Sequence, residues 1–175
     1  MQKIRGKTRR ILNLGCGKET YGTDFLDINP TRKDVGKWSA SDKIPFGNST
    51  FDEVYMKNFF EHLNNPNKVL KEIRRVLKRN GKIVLITDNA SFFGWHLGNT
   101  HYGGYEKQNN INDMHYALYT SWHIQNHLKQ TGFRNISVSY ILGNTKNLLH
   151  FLVFTCIGFL NKKFGYNLIK AVAKK

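Results

Sequence analysis

The stretch Ile11-Leu12-Asn13-Leu14-Gly15-Cys16-Gly17 decides the fold. Its first four residues form a short, largely apolar run, which is typical of a buried parallel strand. The two glycines that follow let the backbone turn sharply and approach a ligand closely. An open α/β sheet binds ligands beyond the carboxyl ends of its strands, so this loop is the first candidate binding site. Alone, a Gly-x-Gly pair is a weak signal, because many such pairs are simple turns.

Strand and helix patterns alternate through the next part of the chain. Residues 23–28 and 51–56 are predicted strands, and residues 82–87 form an apolar run typical of a central parallel strand. Between them, Asn65-Pro66 opens a helix whose apolar residues recur at helical spacing. Asn80-Gly81 is expected to end this helix with a left-handed cap.

The C-terminal part adds a helix from Thr120 or Ser121 to about Thr131, a strand over residues 133–142 and a final strand over residues 166–173. The last two strands are expected to form an antiparallel pair. The order predicts an α/β fold: a Rossmann-like sheet, mostly parallel with an antiparallel C-terminal strand, and helices on both faces.

The length of 175 residues suits a single domain over residues 1–175. Three segments within it stand apart from the alternating pattern. They are a basic N-terminal arm at residues 1–10, a long loop at residues 90–119 on the substrate side, and an apolar segment at residues 147–163.

The core of the apolar segment, residues 148–160, is shorter than the roughly 20 residues that a spanning helix needs. We expect it to be a buried helix or strand that covers the sheet. The alternative is a segment that lies in a membrane interface, with the basic Lys162-Lys163 beside it.

The chain is strongly basic, with 27 Lys and Arg against 12 Asp and Glu and a net charge of +15. This charge favours nucleic acid, anionic lipid or a phosphorylated substrate as partner, although dispersed charges are equally typical of a solvated surface.

Cys16 and Cys156 lie far apart, so we expect no disulfide framework and a cytoplasmic protein. No cysteines and histidines are spaced as metal ligands, so we expect no metal. No secretory signal is visible after Met1.

Asp27 narrows the choice of ligand. It ends the second strand, where a carboxylate can accept hydrogen bonds from both hydroxyls of a ribose, although it could also form a turn before Asn29-Pro30. No Gly-Lys-Ser/Thr follows the glycines, and no third glycine completes a dinucleotide fingerprint. A cofactor with ribose and adenine but no phosphates fits best, and S-adenosylmethionine is such a cofactor.

In these features the sequence resembles the class I S-adenosylmethionine-dependent methyltransferases, and among them the methyltransferase type 11 family. The resemblance covers most of the chain, and the order of the matching stretches is specific. They are residues 12–17, 26–28, 44–46, 51–54, 60–63 and 70–82, and later Gly132-Phe133 and residues 173–175.

The resemblance implies roles for individual residues. Gly15, Cys16 and Gly17 would surround the methionine and ribose portions of the cofactor, and Asp27 would hold the ribose hydroxyls. Ile28 would contact the adenine, Asn58 and Phe59 would meet the cofactor near its reactive end, and Glu61-His62 would lie beside the methyl group.

The chain departs from the family at three places. Asn13 stands where an acidic residue is frequent, although it can still form a hydrogen bond to the cofactor. The usual helix between the first two strands is nearly absent, which implies a more open cofactor site. The acidic residue that often touches the adenine has no clear counterpart: Ser39 falls near that position, and Asp42 is displaced from it.

The implied activity is methyl transfer to a small-molecule, sugar or lipid-linked acceptor, with contact to a membrane surface as a further expectation. Alternatives are an RNA or other nucleic-acid methyltransferase and a non-catalytic cofactor-binding module. His62 is the candidate general base for a hydroxyl acceptor, or else a structural residue at a helix start. His101, Tyr102 and His115, with Tyr116, are candidates to line the acceptor pocket; ordinary surface positions are the alternative.

Overall fold

The computed structural model describes residues 9–96, 115–143 and 148–175. Its strands form one sheet in which β7 runs antiparallel to both of its neighbours and the other pairs are parallel. The strands are β1 Ile11–Leu14, β2 Asp24–Asp27, β3 Val35–Lys37, β4 Phe51–Lys57, β5 Leu77–Asp88, β6 Arg134–Ile141 and β7 Leu168–Lys174, in the spatial order β3-β2-β1-β4-β5-β7-β6. The prediction of a Rossmann-like, mostly parallel sheet with an antiparallel C-terminal strand is confirmed.

Helices surround this sheet: α1 Pro66–Val76, α2 Ser121–Gln130, α3 Leu148–Leu160, α4 Lys162–Gly165 and two short 3₁₀ helices, Phe60–His62 and Phe93–His96. The N-terminal caps follow from local sequence. Asn65 accepts a hydrogen bond from the Lys68 amide at the start of α1, and the Thr120 hydroxyl accepts one from the His123 amide at the start of α2.

The two longer crossover helices, α1 and α2, pack on each other and on the sheet. Ile73 of α1 and Leu128 of α2 are fully buried in one apolar cluster with Val54 of β4 and Leu85 of β5. Their burial removes the apolar stripe of each helix from water, which is the main force that holds the crossovers on the sheet.

The connection between β1 and β2, residues 15–23, contains no helix, as the sequence predicted. Its side chains instead contact the face of β4 that carries Glu53, Tyr55 and Lys57. The Tyr21 hydroxyl donates a hydrogen bond of 2.7 Å to Glu53, and the Lys57 ammonium donates one of 2.6 Å to Glu19. The rings of Tyr21 and Tyr55 are 4.8 Å apart. Aromatic and ionic contacts therefore stand where a crossover helix would pack.

The predicted left-handed cap at Asn80-Gly81 is wrong. Helix α1 ends at Val76, and Leu77 has extended backbone angles and opens β5. Leu77 pairs with Phe51 and Lys82 with Glu53, so residues 78–81 form an irregularity within the strand pairing. Burial of Leu77 and its backbone pairing outweigh the local turn preference of Asn80-Gly81. Strand β3 was not predicted, because three residues give no readable period.

The apolar segment at residues 148–160 is α3, but the expectation that it is buried over the sheet is wrong. Only Phe154 and Gly158 are buried in this helix. Leu148, Leu149 and Leu152 are each more than half exposed, and the side chains at the end of the helix are almost fully exposed. Among the residues that the structure describes, no helix has the length and apolar character required to cross a membrane.

Candidate functional site

A cavity of about 180 Å³ opens at the carboxyl ends of β1 and β2. Six residues that were predicted to belong to the site line it, together with side chains that follow β3 and the 3₁₀ helix Phe60–His62. The lining residues are Gly15, Asp27, Ile28, Trp38, Ser39, Ala40, Ser41, Phe59, His62, Asn64 and Tyr116. The sheet thus places the candidate site where an open α/β sheet is expected to bind ligands.

The carboxylate of Asp27 is fixed in this cavity by backbone donors. Its Oδ2 accepts a hydrogen bond of 2.8 Å from the Gly17 amide, and its Oδ1 accepts one of 2.9 Å from the Asn29 amide. Each carboxylate oxygen keeps further acceptor capacity. The arrangement can therefore receive the paired hydroxyls of a ribose without moving.

The backbone at Gly15 requires glycine for two reasons. Its φ of +62° lies in the left-handed region, and a Cβ there would lie 2.3 Å from Cδ2 of Phe59. The Gly15 amide donates a hydrogen bond of 2.8 Å to the Leu26 carbonyl, which joins the loop to β2. The ring of Phe59 therefore lies directly against the loop and forms an apolar wall of the cavity.

Trp38 is a site residue that sequence analysis missed. Its amide donates to the Asp27 carbonyl at 2.9 Å, so it continues the β2–β3 pairing and lies beside the carboxylate. Its ring is 6.2 Å from that of Phe59. Ile28, 42% exposed, lies on the same cavity. Together these side chains provide an apolar surface that suits an adenine ring.

Serine lines the cavity at position 39, where sequence analysis sought a counterpart for the family's acidic residue. Asp42, the displaced candidate, is not among the lining residues. Ser39 and Ser41 are joined by a hydroxyl hydrogen bond of 2.8 Å. Neutral hydroxyls therefore line the cavity where the resemblance led us to expect a carboxylate.

Four predicted cofactor residues are not among the lining residues of the cavity: Asn13, Cys16, Gly17 and Asn58. The side-chain amide of Asn13 donates a hydrogen bond of 2.9 Å to the Tyr21 carbonyl, which joins β1 to the connection at residues 15–23. Cys16 is buried, and this burial raises the pKa of its thiol. Asn58, with a φ of 48°, lines a neighbouring cavity of about 400 Å³ with Asp88. Their contact with a cofactor stays a prediction.

His62 lines the cavity, and its ring stands edge-to-face on that of His115, with ring centroids 4.5 Å apart. The adjacent Glu61 is 1% exposed, and its Oε2 accepts a hydrogen bond of 2.6 Å from the Thr87 hydroxyl. Burial raises the pKa of Glu61. The structure thus brings together the predicted residues His62 and His115, although His115 is not on the cavity wall.

Asp88 completes this group of titratable side chains. Its Oδ2 lies 3.7 Å from Nδ1 of His115. Burial, with the neighbouring charge of Glu61, raises the pKa of Asp88 to about 7. Two carboxyl groups and two imidazoles therefore share one partly dry region beside the cavity.

Tyr116, near the end of the segment 90–119, also reaches the cavity. Its amide donates a hydrogen bond of 2.8 Å to the Glu61 carbonyl, and Tyr116 lines the cavity. Two other predicted substrate residues, His101 and Tyr102, lie outside the described residues.

Comparisons with known proteins agree with this geometry. The sequence profile of the methyltransferase domain family matches residues 3–138. An uncharacterized protein of Methanocaldococcus jannaschii is 31% identical over 143 residues, which cover 74% of this chain and 67% of that protein. The sterol 4-C-methyltransferase strm-1 of Caenorhabditis elegans is 46% identical over 98 residues, which cover 42% of this chain and 29% of that protein. The chain spans only part of the length of these relatives.

Solved structures share the fold. A SAM-dependent methyltransferase from Archaeoglobus fulgidus superposes with a TM-score of 0.66 at 20% identity, covering 95% of this chain and 86% of that chain. The phosphoethanolamine N-methyltransferase 2 of Haemonchus contortus, in complex with S-adenosyl-L-methionine, gives a TM-score of 0.58 at 15% identity, with 95% and 48% covered. From its profile match over residues 3–138 and its fold, the chain belongs to the methyltransferase domain family, with S-adenosylmethionine as its cofactor.

Proposed function

We propose that the chain transfers a methyl group from S-adenosylmethionine to a lipid-linked acceptor at a membrane surface. The observation that carries this proposal is the exposed apolar surface of α3. The helix contains no Asp, Glu, Lys or Arg. Leu148 is 72% exposed, Phe159 90% and Leu160 86%. Side chains of this size rarely stay in water together unless they bind a partner or a membrane.

The basic residues that follow α3 favour a membrane as the partner. Lys162 and Lys163 are exposed directly beyond the apolar surface, and Phe164 beside them is 45% exposed. Apolar side chains that enter the acyl boundary next to lysines that meet phosphate groups are typical of an interfacial helix. The net charge of +15 adds attraction to an anionic leaflet.

The position of α3 relates this surface to the cavity. The side-chain amide of Asn89, just after β5, donates hydrogen bonds of 2.7 Å to the carbonyls of Lys163 and Tyr166. Phe154 packs on Phe92 with ring centroids 4.6 Å apart. Both contacts hold α3 and α4 at the carboxyl ends of the parallel strands, the edge at which the cavity opens.

When bound, S-adenosylmethionine supplies a methyl group made electrophilic by a positively charged sulfur. That methyl group would pass to a lone pair of the acceptor, with the sulfur as the leaving group. Asp27 would hold the ribose, and Phe59 would exclude water. The main task of the protein is then to align donor and acceptor.

The relative strm-1, named for a sterol acceptor, supports an apolar acceptor class.

Vesicle flotation tests the membrane part of the proposal. The protein is mixed with phosphatidylcholine vesicles with and without phosphatidylglycerol, and we expect flotation that increases with the anionic lipid. Phe151→Glu and Phe159→Glu should reduce it at least tenfold, because each places a charge on the apolar surface. Trp122→Glu is the matched control, since Trp122 is 67% exposed on the separate helix α2.

Circular dichroism confirms folding of each variant before flotation. If the wild type fails to float with vesicles of either composition, the proposal is contradicted. It is also contradicted if Trp122→Glu reduces flotation as much as Phe151→Glu and Phe159→Glu do. A labelled-methyl assay on lipid extracts, with total RNA as a parallel substrate, tests the acceptor class. Label in RNA alone would favour a nucleic-acid methyltransferase, and absence of S-adenosylmethionine binding would favour a non-catalytic module.

A further inference from the structure

Three side chains with metal-ligand chemistry meet beside the cofactor cavity. Glu61 and His62 are neighbours in the 3₁₀ helix Phe60–His62, and His115 lies near the end of the segment 90–119. Their donor atoms all lie within 4.8 Å of one another. Sequence analysis predicted no metal, because these residues have no recognisable ligand spacing along the chain.

We propose that Glu61, His62 and His115 bind a divalent transition-metal ion of the zinc type. Two imidazoles and one carboxylate are a donor set of catalytic zinc sites, which leave a position open for water or substrate. Imidazole ligands disfavour magnesium and calcium, which prefer oxygen donors. Because His62 borders the cavity, the open position would face the space next to the cofactor.

The surrounding residues provide the hydrogen bonds and contacts that orient ligands in metal sites. The Thr87 hydroxyl donates to Oε2 of Glu61 at 2.6 Å and fixes the carboxylate plane. The Asp88 carboxylate lies 3.7 Å from Nδ1 of His115. A carboxylate next to a histidine is the usual outer partner of a histidine ligand, because it fixes the ring and raises its basicity.

The electrostatics of the site also favour a dication. Glu61 is 1% exposed, and within the described residues its Oε1 has no hydrogen-bond partner. Asp88 is a second carboxyl group in the same region, with 16% of its side chain exposed. Two desolvated carboxyl groups repel each other when ionised, and a bound cation of charge +2 removes that cost.

The competing interpretation is a metal-free network in which a carboxyl group keeps its proton and His62 acts as a general base. A metal-bound His62 could not accept that proton, so the two interpretations exclude each other. They make opposite predictions for a titration with metal alone.

The test uses the untagged full chain, freed of metal with a chelator and titrated with Zn²⁺ and Co²⁺ in a calorimeter. We expect one site per chain, and for Co²⁺ the visible d–d bands of a four- or five-coordinate ion. Glu61→Gln, His62→Ala and His115→Ala should each weaken binding at least about 100-fold, since loss of even an outer partner costs roughly 10–100-fold. His150 lies on α3, away from the three ligands. His150→Ala is therefore the matched control and should bind the metal as the wild type does.

Absence of a stoichiometric site, or equal binding by all the variants, would overturn the proposal. So would a thiolate-to-cobalt charge-transfer band that disappears in Cys156→Ser, because the ion would then sit elsewhere. Glu61→Gln keeps the shape and the Thr87 contact, so it separates a lost ligand from a misfolded site. The titration needs neither acceptor nor vesicles, so its outcome is independent of the membrane proposal.

Discussion

Asp27 and Gly17 are joined across the carboxyl ends of β1 and β2 by a hydrogen bond of 2.8 Å from the Gly17 amide to Oδ2 of Asp27. Asp27 also lines the cavity, so we expect its carboxylate to couple the shape of the loop to the binding of a ribose. We expect Asp27→Ala to weaken S-adenosylmethionine binding about 30-fold or more, because charge-assisted hydrogen bonds contribute about 2 kcal/mol. Calorimetric titration measures this, with Asp34→Asn as a surface control. An unchanged affinity would mean that the ribose binds elsewhere.

Gly15 and Gly17 form a matched pair for a packing test. Both have positive φ, but a Cβ at Gly15 would meet Phe59 at 2.3 Å, whereas a Cβ at Gly17 would meet nothing within 4 Å. Gly17→Ala should cost about 1–2 kcal/mol of unfolding free energy from backbone strain alone. Gly15→Ala should cost about 1–3 kcal/mol more, because it also overpacks the site.

Urea unfolding measures both of these costs. The double variant Gly15→Ala/Phe59→Ala should be less unstable than the sum of its single changes, because removal of the ring makes room for the methyl group. Strict additivity of the two changes would show that Phe59 does not press on the loop.

Trp38 should report cofactor binding through its fluorescence. It is 6% exposed and lines the cavity, whereas Trp95 and Trp122 are not among the lining residues. We expect saturable quenching or a spectral shift on addition of S-adenosylhomocysteine, and loss of that signal in Trp38→Phe. Trp122→Phe should retain the signal. A signal that persists in Trp38→Phe would place the ligand away from this cavity.

Glu72 provides a pH-dependent contribution to stability. It accepts hydrogen bonds from the Arg75 guanidinium at 2.7 and 2.9 Å and from the Ile44 amide at 3.0 Å. The Arg75 guanidinium lowers the pKa of Glu72 below its usual range. Because the folded-state pKa is depressed, the contribution is complete above the unfolded pKa of about 4.3 and is lost as the pH falls through the folded value.

Glu72→Gln should therefore destabilise the protein by about 1–3 kcal/mol at neutral pH. The difference in unfolding free energy between variant and wild type should narrow as the pH falls below about 4.3. Chemical unfolding at several pH values measures it. Glu19→Gln, which breaks a more exposed pair with Lys57, should cost less than about 1 kcal/mol at any pH. A gap for Glu72→Gln that is the same at pH 3 and pH 7 would contradict the assignment.

Local patterns were sufficient to predict the part of the site that comes from one stretch of chain. Gly15 and Asp27 lie at the ends of successive strands, so their roles follow from the strand pattern and the chemistry of a ribose. Trp38 and Tyr116 were not predicted as cofactor-side residues, because their segments reach the cavity only through tertiary packing.

The wrong predictions about the fold also arose because tertiary contacts, and not local sequence, decide the structure there. Asn80-Gly81 has the local chemistry of a helix cap, but Leu77 pairs with Phe51, and no local signal reveals that partner. The sequence of α3 is apolar on all sides, so it contains no periodicity that could show which side is buried. Its exposure is decided by how few of its residues, chiefly Phe154 and Gly158, meet the rest of the protein.

The exposed side of α3 also has a consequence for colloidal behaviour. Two copies that meet through Leu149, Phe159 and Leu160 would bury apolar area, which favours self-association. The net charge of +15 opposes this encounter, but only over the Debye length, which is about 8 Å at physiological ionic strength. Added salt shortens the range of this repulsion and leaves the apolar attraction intact, so concentrated stocks should remain dispersed in dilute buffer and cluster as the ionic strength increases.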